Sequence, residues 1–315
     1  MTSKNKTAVV AIIGPTGTGK TDLSIELAKQ FNGEIVALDS RTIYKKMDIG
    51  TAKPSVEQQI EVKHHALDLL EPTRFFTVAE YIEIAKEAIN TISAQGKLPI
   101  LCGGTGLYAR ALLEGIQIPT VKPQTELRAQ LDELAKQKGN EELHSRLAEI
   151  DPVSAARLNV NDLRRIIRAL EVSIISGKPF SQLATQVESP FQTTWIGLNW
   201  NDRDLHKKIL TERLNKHLQA GLLEEVTKLW PNSNYQAVLS NSINYKEFIP
   251  HINGSESLDE ACTQCIRNNF QLARKQMIWF RTRPFINWIL IDETHSFTNT
   301  MDKSTKMLPD YLLHR

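Results

Sequence analysis

The sequence predicts an α/β fold: a P-loop (phosphate-binding loop) parallel-sheet core carrying an α-helical insertion domain. Three observations carry that expectation. An apolar run at 8–13 leads into G-P-T-G-T-G-K-T, Gly14 to Thr21, which opens a helix-like segment at 22–29. Two more short apolar runs, 34–38 and 98–102, end in polar or glycine turns, as strands do at the ligand-binding edge of a parallel sheet. From Gln117 the strand-like pattern yields to helical spacing until about residue 180.

The loop fits G-x-x-x-x-G-K-[ST] in the strand-then-helix setting that gives the pattern meaning. Gly14, Gly17 and Gly19 let the backbone curl so that successive N–H groups point inward, with Pro15, Thr16 and Thr18 completing the loop. The helix N-terminus adds positive potential. Lys20 supplies a mobile cation, and the Thr21 hydroxyl can hold Mg²⁺. A short Gly/Thr run is often an ordinary loop, but here strand, Lys-Thr and helix are all in place. The chain is therefore expected to bind a polyphosphate or diphosphate, and the loop alone does not choose between them.

Composition narrows the rest. The 315 residues allow one large domain or two smaller ones, and 41% hydrophobic with 23% charged residues suits a globular core. A net charge of +2 leaves any nucleic-acid surface to local clusters of Lys and Arg. No apolar run approaches the roughly 20 residues of a membrane span, so no membrane contact is expected. Met1 to Lys6 leave no room for a signal peptide, which implies a cytoplasmic address. Three cysteines argue against a disulfide framework. Cys262 and Cys265 form a C-x-x-C without the further ligands zinc wants, and read as small side chains on one helix face.

Taken in order, the strand at 34–38 ends at Asp39-Ser40, beside the phosphate loop at the active edge. Asp39 there could bind metal, cap the next segment or act as a base. Residues 41–76 read as irregular, with His64-His65 as loop or cleft residues instead of metal ligands. Thr77 reads as the N-cap of a helix over 78–95, with Glu80 completing a capping box. The strand at 98–102 runs into Gly103-Gly104-Thr105-Gly106-Leu107-Tyr108. Nucleotide-hydrolysing P-loop proteins often carry a Mg²⁺-holding acid at such a point. Here Thr105 stands instead, and Tyr108 is expected in the core. Ile118-Pro119 and Lys122-Pro123 make a linker into helices over 125–180. One of these places Arg164, Arg165 and Arg168 on a shared corner, which alone is more often a solvated face. Strand pattern returns at 194–199, followed by an amphipathic helix pair over 202–230 with Leu210, Leu214, Leu218 and Arg213, a long helix over 258–283, and a last strand at 286–292. The tail from Glu293 is polar and expected to fray. The core is thus expected at 1–118 and 196–315, with the insertion at 119–195.

The combined motifs resemble one family, the tRNA dimethylallyltransferases. The resemblance rests on the loop with Gly14-Pro15-Thr16, Asp39-Ser40, residues 48–54, Gly103 to Tyr108, Asp151-Pro152, Arg168-Ala169-Leu170-Glu171, Tyr245-Lys246-Glu247, and Gln276 with Trp279, in family order along almost the whole chain. It implies transfer of a dimethylallyl group from dimethylallyl diphosphate to N6 of an adenosine next to the anticodon of a tRNA, with Mg²⁺; a monomer is expected. It implies that the loop holds the diphosphate and that Asp39 accepts the N6 proton. Thr105 would fix the reacting groups, with Lys20 and Arg213 as cations on the diphosphate. It further implies tRNA contacts at Asp39, Ser40, Arg41, Thr42, Thr105, Arg128, Arg164, Arg165, Ile166, Ile167 and Arg168, which turns the arginine corner into an RNA surface. Two departures stand out. Asn244 replaces a family Gly, and Asn269-Phe270 replaces a family Thr-Arg, removing one expected cation. Either Arg267 or Arg274, neighbours of 270 on one helix face, is expected to supply it. No zinc-finger-like extension follows the core, which suggests a bacterial or organellar type. Three rival readings stand beside this one. A transferase acting on free adenine nucleotides would not need the insertion, and a P-loop kinase would leave Gly103-Gly104-Thr105 unexplained. The third is a non-catalytic RNA-binding relative.

Overall fold

The computed structural model describes residues 6–294 and 296–313. Met1 to Asn5, on which the leader reading rests, and His295 in the tail lie outside them. The chain forms two compact units, 1–113 with 190–315 and 114–189. Both boundaries fall about five residues before those expected. One reason is that Ile116 bridges Gln186 in antiparallel fashion, so the two connecting segments pair with each other. The other is that the returning strand starts earlier, where Phe191 pairs with Thr7.

The first unit is a six-stranded, all-parallel sheet. Its strands are β1 (Thr7–Ile13), β2 (Gly33–Ala37), β3 (His64–His65), β4 (Leu98–Gly103), β5 (Phe191–Trp200) and β6 (Asn287–Ile291), in the order β3-β2-β4-β1-β5-β6. Residues such as Val9, Ile12, Ile13, Val36, Ile100 and Ile196 are fully enclosed, which is why these strands read as unbroken apolar runs. The register sets Ile13 beside Gly103 on one side and Gly197 on the other, while Ala37 lies beside Cys102. The carboxyl ends of β1, β2 and β4 therefore open on one edge, where ligands collect in such sheets.

Two expectations need correcting. His64 and His65 are not loop or cleft residues but form the edge strand β3. The His65 ring bonds the Glu34 carboxylate at 2.6 Å. Glu34 is buried and also receives Lys97, so the strand supplies a partner that a buried carboxylate requires. The tail does not fray among the described residues. It forms helices at Phe297–Lys306 and Asp310–Leu313. Leu308 and Leu312 are buried in the sheet's core cluster, and Met301 and Met307 pack against it.

A second apolar cluster in this unit joins the Arg203–Gln219, Leu222–Leu229 and Leu258–Phe280 helices to residues 43–49 and 235–248. Its polar seam explains several motifs. Glu225 accepts the N–H groups of Asp48, Ile49 and Gly50 at 2.9–3.1 Å, and the Tyr245 hydroxyl at 2.6 Å. Asn244, where a Gly was expected, has φ +71°, a left-handed conformation that Asn tolerates better than most side chains. Its Nδ2 donates to the Gly50 carbonyl, and its Oδ1 accepts from Asn269 Nδ2, both at 2.6 Å. Two of the departures thus hold each other, and Asn244 anchors the Leu258–Phe280 helix instead of disturbing it. Cys265 is buried in the same seam and its thiol donates to Asn244 Oδ1.

The second unit contains the Thr125–Lys138, Asn140–Ile150, Pro152–Arg157, Leu163–Ser176 and Phe180–Leu183 helices. They close over Leu131, Leu143, Leu147, Ile166, Ile167 and Leu170. The fully buried Glu171 organises its charged side. It accepts the Gln124 N–H at 2.6 Å, a two-pronged bond from Arg128 at 2.8 Å, and a bond from Arg168. Burial pushes the Glu171 carboxyl up, but these donors outweigh it and bring its pKa down to about 2. A carboxylate held below its ordinary value adds stability that is complete above about pH 4.5 and lost as pH falls towards about 2. Glu171→Gln should cost about 1.5–3 kcal/mol, the worth of a hydrogen bond to a charged group. Faster amide exchange in the Leu163–Ser176 helix at pH 7, with a smaller difference from wild type at pH 3, is the expected readout.

Candidate active site

The phosphate loop connects β1 to the Lys20–Gln30 helix. Gly14 is required by space, since a Cβ there would lie 2.2 Å from the Leu198 carbonyl oxygen on β5. Thr16, in the middle of the loop, is gripped on three sides. Its N–H donates to Gln276 Oε1 at 2.9 Å, its hydroxyl accepts from Arg213 at 2.9 Å, and its carbonyl faces His206 Nε2 at 2.8 Å. A carbonyl only accepts, so His206 carries its proton on Nε2. Burial lowers the His206 pKa, consistent with a neutral ring. Trp200, at the end of β5, donates its indole N–H to the Gly17 carbonyl at 2.8 Å.

Lys20 folds back into the loop, donating to the Pro15 carbonyl at 2.6 Å. Burial lowers its pKa to about 8, with Arg213 adding to the effect and Cys102 and Asp39 opposing it. Arg213 is likewise lowered by burial, and again Asp39 opposes. Two cations and one carboxylate thus share an enclosed space. Asp39 follows β2, and its Oδ1 accepts the N–H groups of Arg41 (2.7 Å) and Thr42 (3.3 Å). Its other oxygen has no hydrogen bond among the described residues. Thr105 ties this turn to β4, its hydroxyl accepting the Ser40 N–H at 3.2 Å and its N–H donating to the Leu38 carbonyl. Gly104 lets the pieces meet: a Cβ there would stand 2.3 Å from Gln276 Nε2. Thr42 is buried, and its Oγ1 has no partner among the described residues. The Arg41 guanidinium is committed to the Asn241 carbonyl. Tyr108 is core, stacked 4.0 Å from Tyr81.

Gly14 to Thr21, Asp39 to Thr42, Thr105 and Arg213 therefore converge at one sheet edge. The residues named in the second unit behave differently. Ile166 and Ile167 are buried in that unit's own core, so their side chains cannot reach RNA. Arg128 and Arg168 are committed to Glu171. Arg164 and Arg165 stay exposed, with Arg165 3.3 Å from Asp162. The first-unit residues that the sequence does not single out are His206 and Trp200, and its motifs give Gln276 no role. One signal was available, because His206, Leu210 and Arg213 recur at helical spacing and share a face.

The model of the IPP transferase family matches residues 42–283. A tRNA dimethylallyltransferase of Roseiflexus sp. (strain RS-1) is 44% identical over 277 residues, which are 88% of this chain and 90% of the relative. The chain belongs to the IPP transferase family. Another tRNA dimethylallyltransferase, from Dictyoglomus turgidum, is 42% identical over 290 residues, covering 91% and 89% of the two chains. The crystal structure of the Bacillus halodurans tRNA isopentenylpyrophosphate transferase is similar with a TM-score of 0.72 at 33% identity, over 98% of this chain and 97% of that one. A eukaryotic dimethylallyltransferase acting on tRNA shares the fold at TM-score 0.79 and 22% identity, over 95% and 77% of the chains. Gly14 to Thr21 and Asp39 precede the span matched by the family model.

The Lys20 environment gives a pH dependence. The amine is charged below about pH 8 and neutral above it. Affinity for inorganic diphosphate should therefore fall as pH rises through about 8, and Lys20→Met should bind weakly without that step. Isothermal titration calorimetry between pH 6.5 and 9.5 checks both.

Proposed function

We propose that this chain transfers the dimethylallyl group of dimethylallyl diphosphate to N6 of an adenosine beside the anticodon of a tRNA, as a monomeric, cytoplasmic enzyme. The observation that carries this reading is the free carboxylate oxygen of Asp39 beside two enclosed cations, Lys20 and Arg213, at a phosphate loop. An acceptor amine that loses a proton and a departing anion need those opposite charges side by side. The N6 lone pair attacks the allylic carbon and forms the new C–N bond. The C–O bond to diphosphate breaks, and its electron pair leaves with the diphosphate. The N6 proton passes to Asp39. Lys20, Arg213 and the loop N–H groups stabilise the charge on the leaving group. Thr105 holds the Asp39 turn through Ser40. An anticodon-loop base must leave its stack to reach such an edge.

Mg²⁺ fits the donor set. The Thr21 hydroxyl makes no hydrogen bond among the described residues. It would be the protein's ligand to an ion held otherwise by phosphate and water, which would draw charge from the diphosphate. For the tRNA, the exposed Arg164 and Arg165 support a contact with the phosphate backbone. Among the described residues no helix is long and apolar enough to cross a membrane.

Incubation with labelled dimethylallyl diphosphate and, separately, a tRNA anticodon stem-loop or AMP tests the acceptor. Label on AMP alone refutes the tRNA reading. Asp39→Asn keeps an acceptor for the Arg41 and Thr42 N–H groups but takes no proton. It should lower single-turnover transfer about 10²–10⁴-fold with donor affinity nearly unchanged. Replacing Arg164 and Arg165 together by Gln should reduce the salt slope of tRNA binding by about 2. Arg168 is excluded from that test because its loss would disturb Glu171.

A further inference from the structure

Beside the phosphate loop lies a cleft of about 370 Å³. Pro15 of the loop forms one wall, and Trp200, His206, Phe270, Met277 and Ile278 supply much of the lining. Three arginines, Arg203, Arg274 and Arg281, line the same space. None of them forms an ion pair among the described residues. The acid that lines the cleft, Asp202, is already used as the N-cap of the Arg203–Gln219 helix, accepting the Leu205 N–H at 2.7 Å. Three guanidinium groups against the one carboxylate of Asp202 leave this lining net positive, and planar guanidinium forks match phosphate oxygens.

Phe270 has a specific place in this arrangement. The Arg203 guanidinium carbon lies 5.0 Å from the Phe270 ring centroid, within cation–π range. The ring meets His206 edge-on, centroids 6.0 Å apart at 67°, and His206 holds the Thr16 carbonyl. Contacts therefore run without a break from Arg203 through Phe270 and His206 to the phosphate loop. Arg267, one of the two candidates to replace the missing cation at 270, does not line the cleft.

We propose that Arg203, carried on the Phe270 ring, is a donor-binding residue that forms with Arg274 an outer phosphate subsite next to the loop. Phe270 is thus the platform on which Arg203 rests. The subsite takes a diphosphate, either that of the allylic donor or the inorganic product. This rests on the donor reading given above and adds a residue to it.

The test uses the full-length enzyme and inorganic diphosphate as the probe. Arg203→Gln should weaken diphosphate binding about tenfold, roughly 1.4 kcal/mol, and raise the KM for dimethylallyl diphosphate by a similar factor while the KM for tRNA holds. Arg203→Lys, which keeps the charge and loses the fork, should recover part of the affinity. Phe270→Ala should weaken binding in the same direction, and Arg203→Gln with Phe270→Ala should be no weaker than Arg203→Gln alone, since both remove one interaction. Phe270→Arg should give no tenfold gain in turnover. Wild-type enzyme that does not bind diphosphate overturns the donor reading itself. Wild-type binding that Arg203→Gln retains overturns only the subsite. A rise in the KM for tRNA with an unchanged KM for the donor reassigns Arg203 to an RNA phosphate and overturns it as well.

Discussion

The first unit's site depends on how Thr16 is held. A phosphate loop must present its N–H groups to a ligand, so its peptides cannot be locked into a helix or a strand. Here the loop is held in shape by distant side chains. Gln276 takes the Thr16 N–H, Arg213 its hydroxyl and His206 its carbonyl. Each comes from a helix packed elsewhere, so the geometry of one loop residue integrates the Arg203–Gln219 and Leu258–Phe280 helices with β1. The Asn244–Asn269 bond matters in this light. It fixes the helix that carries both Gln276 and Phe270.

The same economy of partners governs charge. Lys20 and Arg213 are cations in an enclosed space with Asp39 as their counter-charge, and burial weakens the protonation of both. This is the electrostatic state expected before a dianionic or trianionic ligand arrives. In the second unit the opposite holds. Glu171 already satisfies Arg128 and Arg168, so those arginines stabilise the unit and are not free for RNA. Arginines in one sequence cluster thus divide into structural and available ones according to whether a buried carboxylate faces them.

Much of the fold was legible because it is written in local patterns. Thr77 and Glu80 form the expected capping box, the buried strands appear as apolar runs, and the loop, Asp39 and Thr105 lie at one edge because parallel strands end there together. Less legible were β3 and the terminal helices. His64-His65 is too short to show a period, and its strand role depends on Glu34, which lies far away in the chain. The helix at Phe297–Lys306 buries only a few side chains, so its apolar signal is weak.

Local pattern along the chain was enough to establish that a phosphate-binding loop follows a buried strand, that Asp39 and Thr105 follow strands ending at one ligand-binding edge, and which family's motifs the chain carries. These follow from spacings of a few residues, over which backbone hydrogen bonding and side-chain period are fixed. Packing alone decided that Glu171 claims Arg128, that His206 and Gln276 grip Thr16, and that Asn244 meets Asn269. It likewise decided that Phe270 carries Arg203. Long polar side chains choose partners by what packing brings within reach, and that choice is made between residues that are tens to hundreds of positions apart.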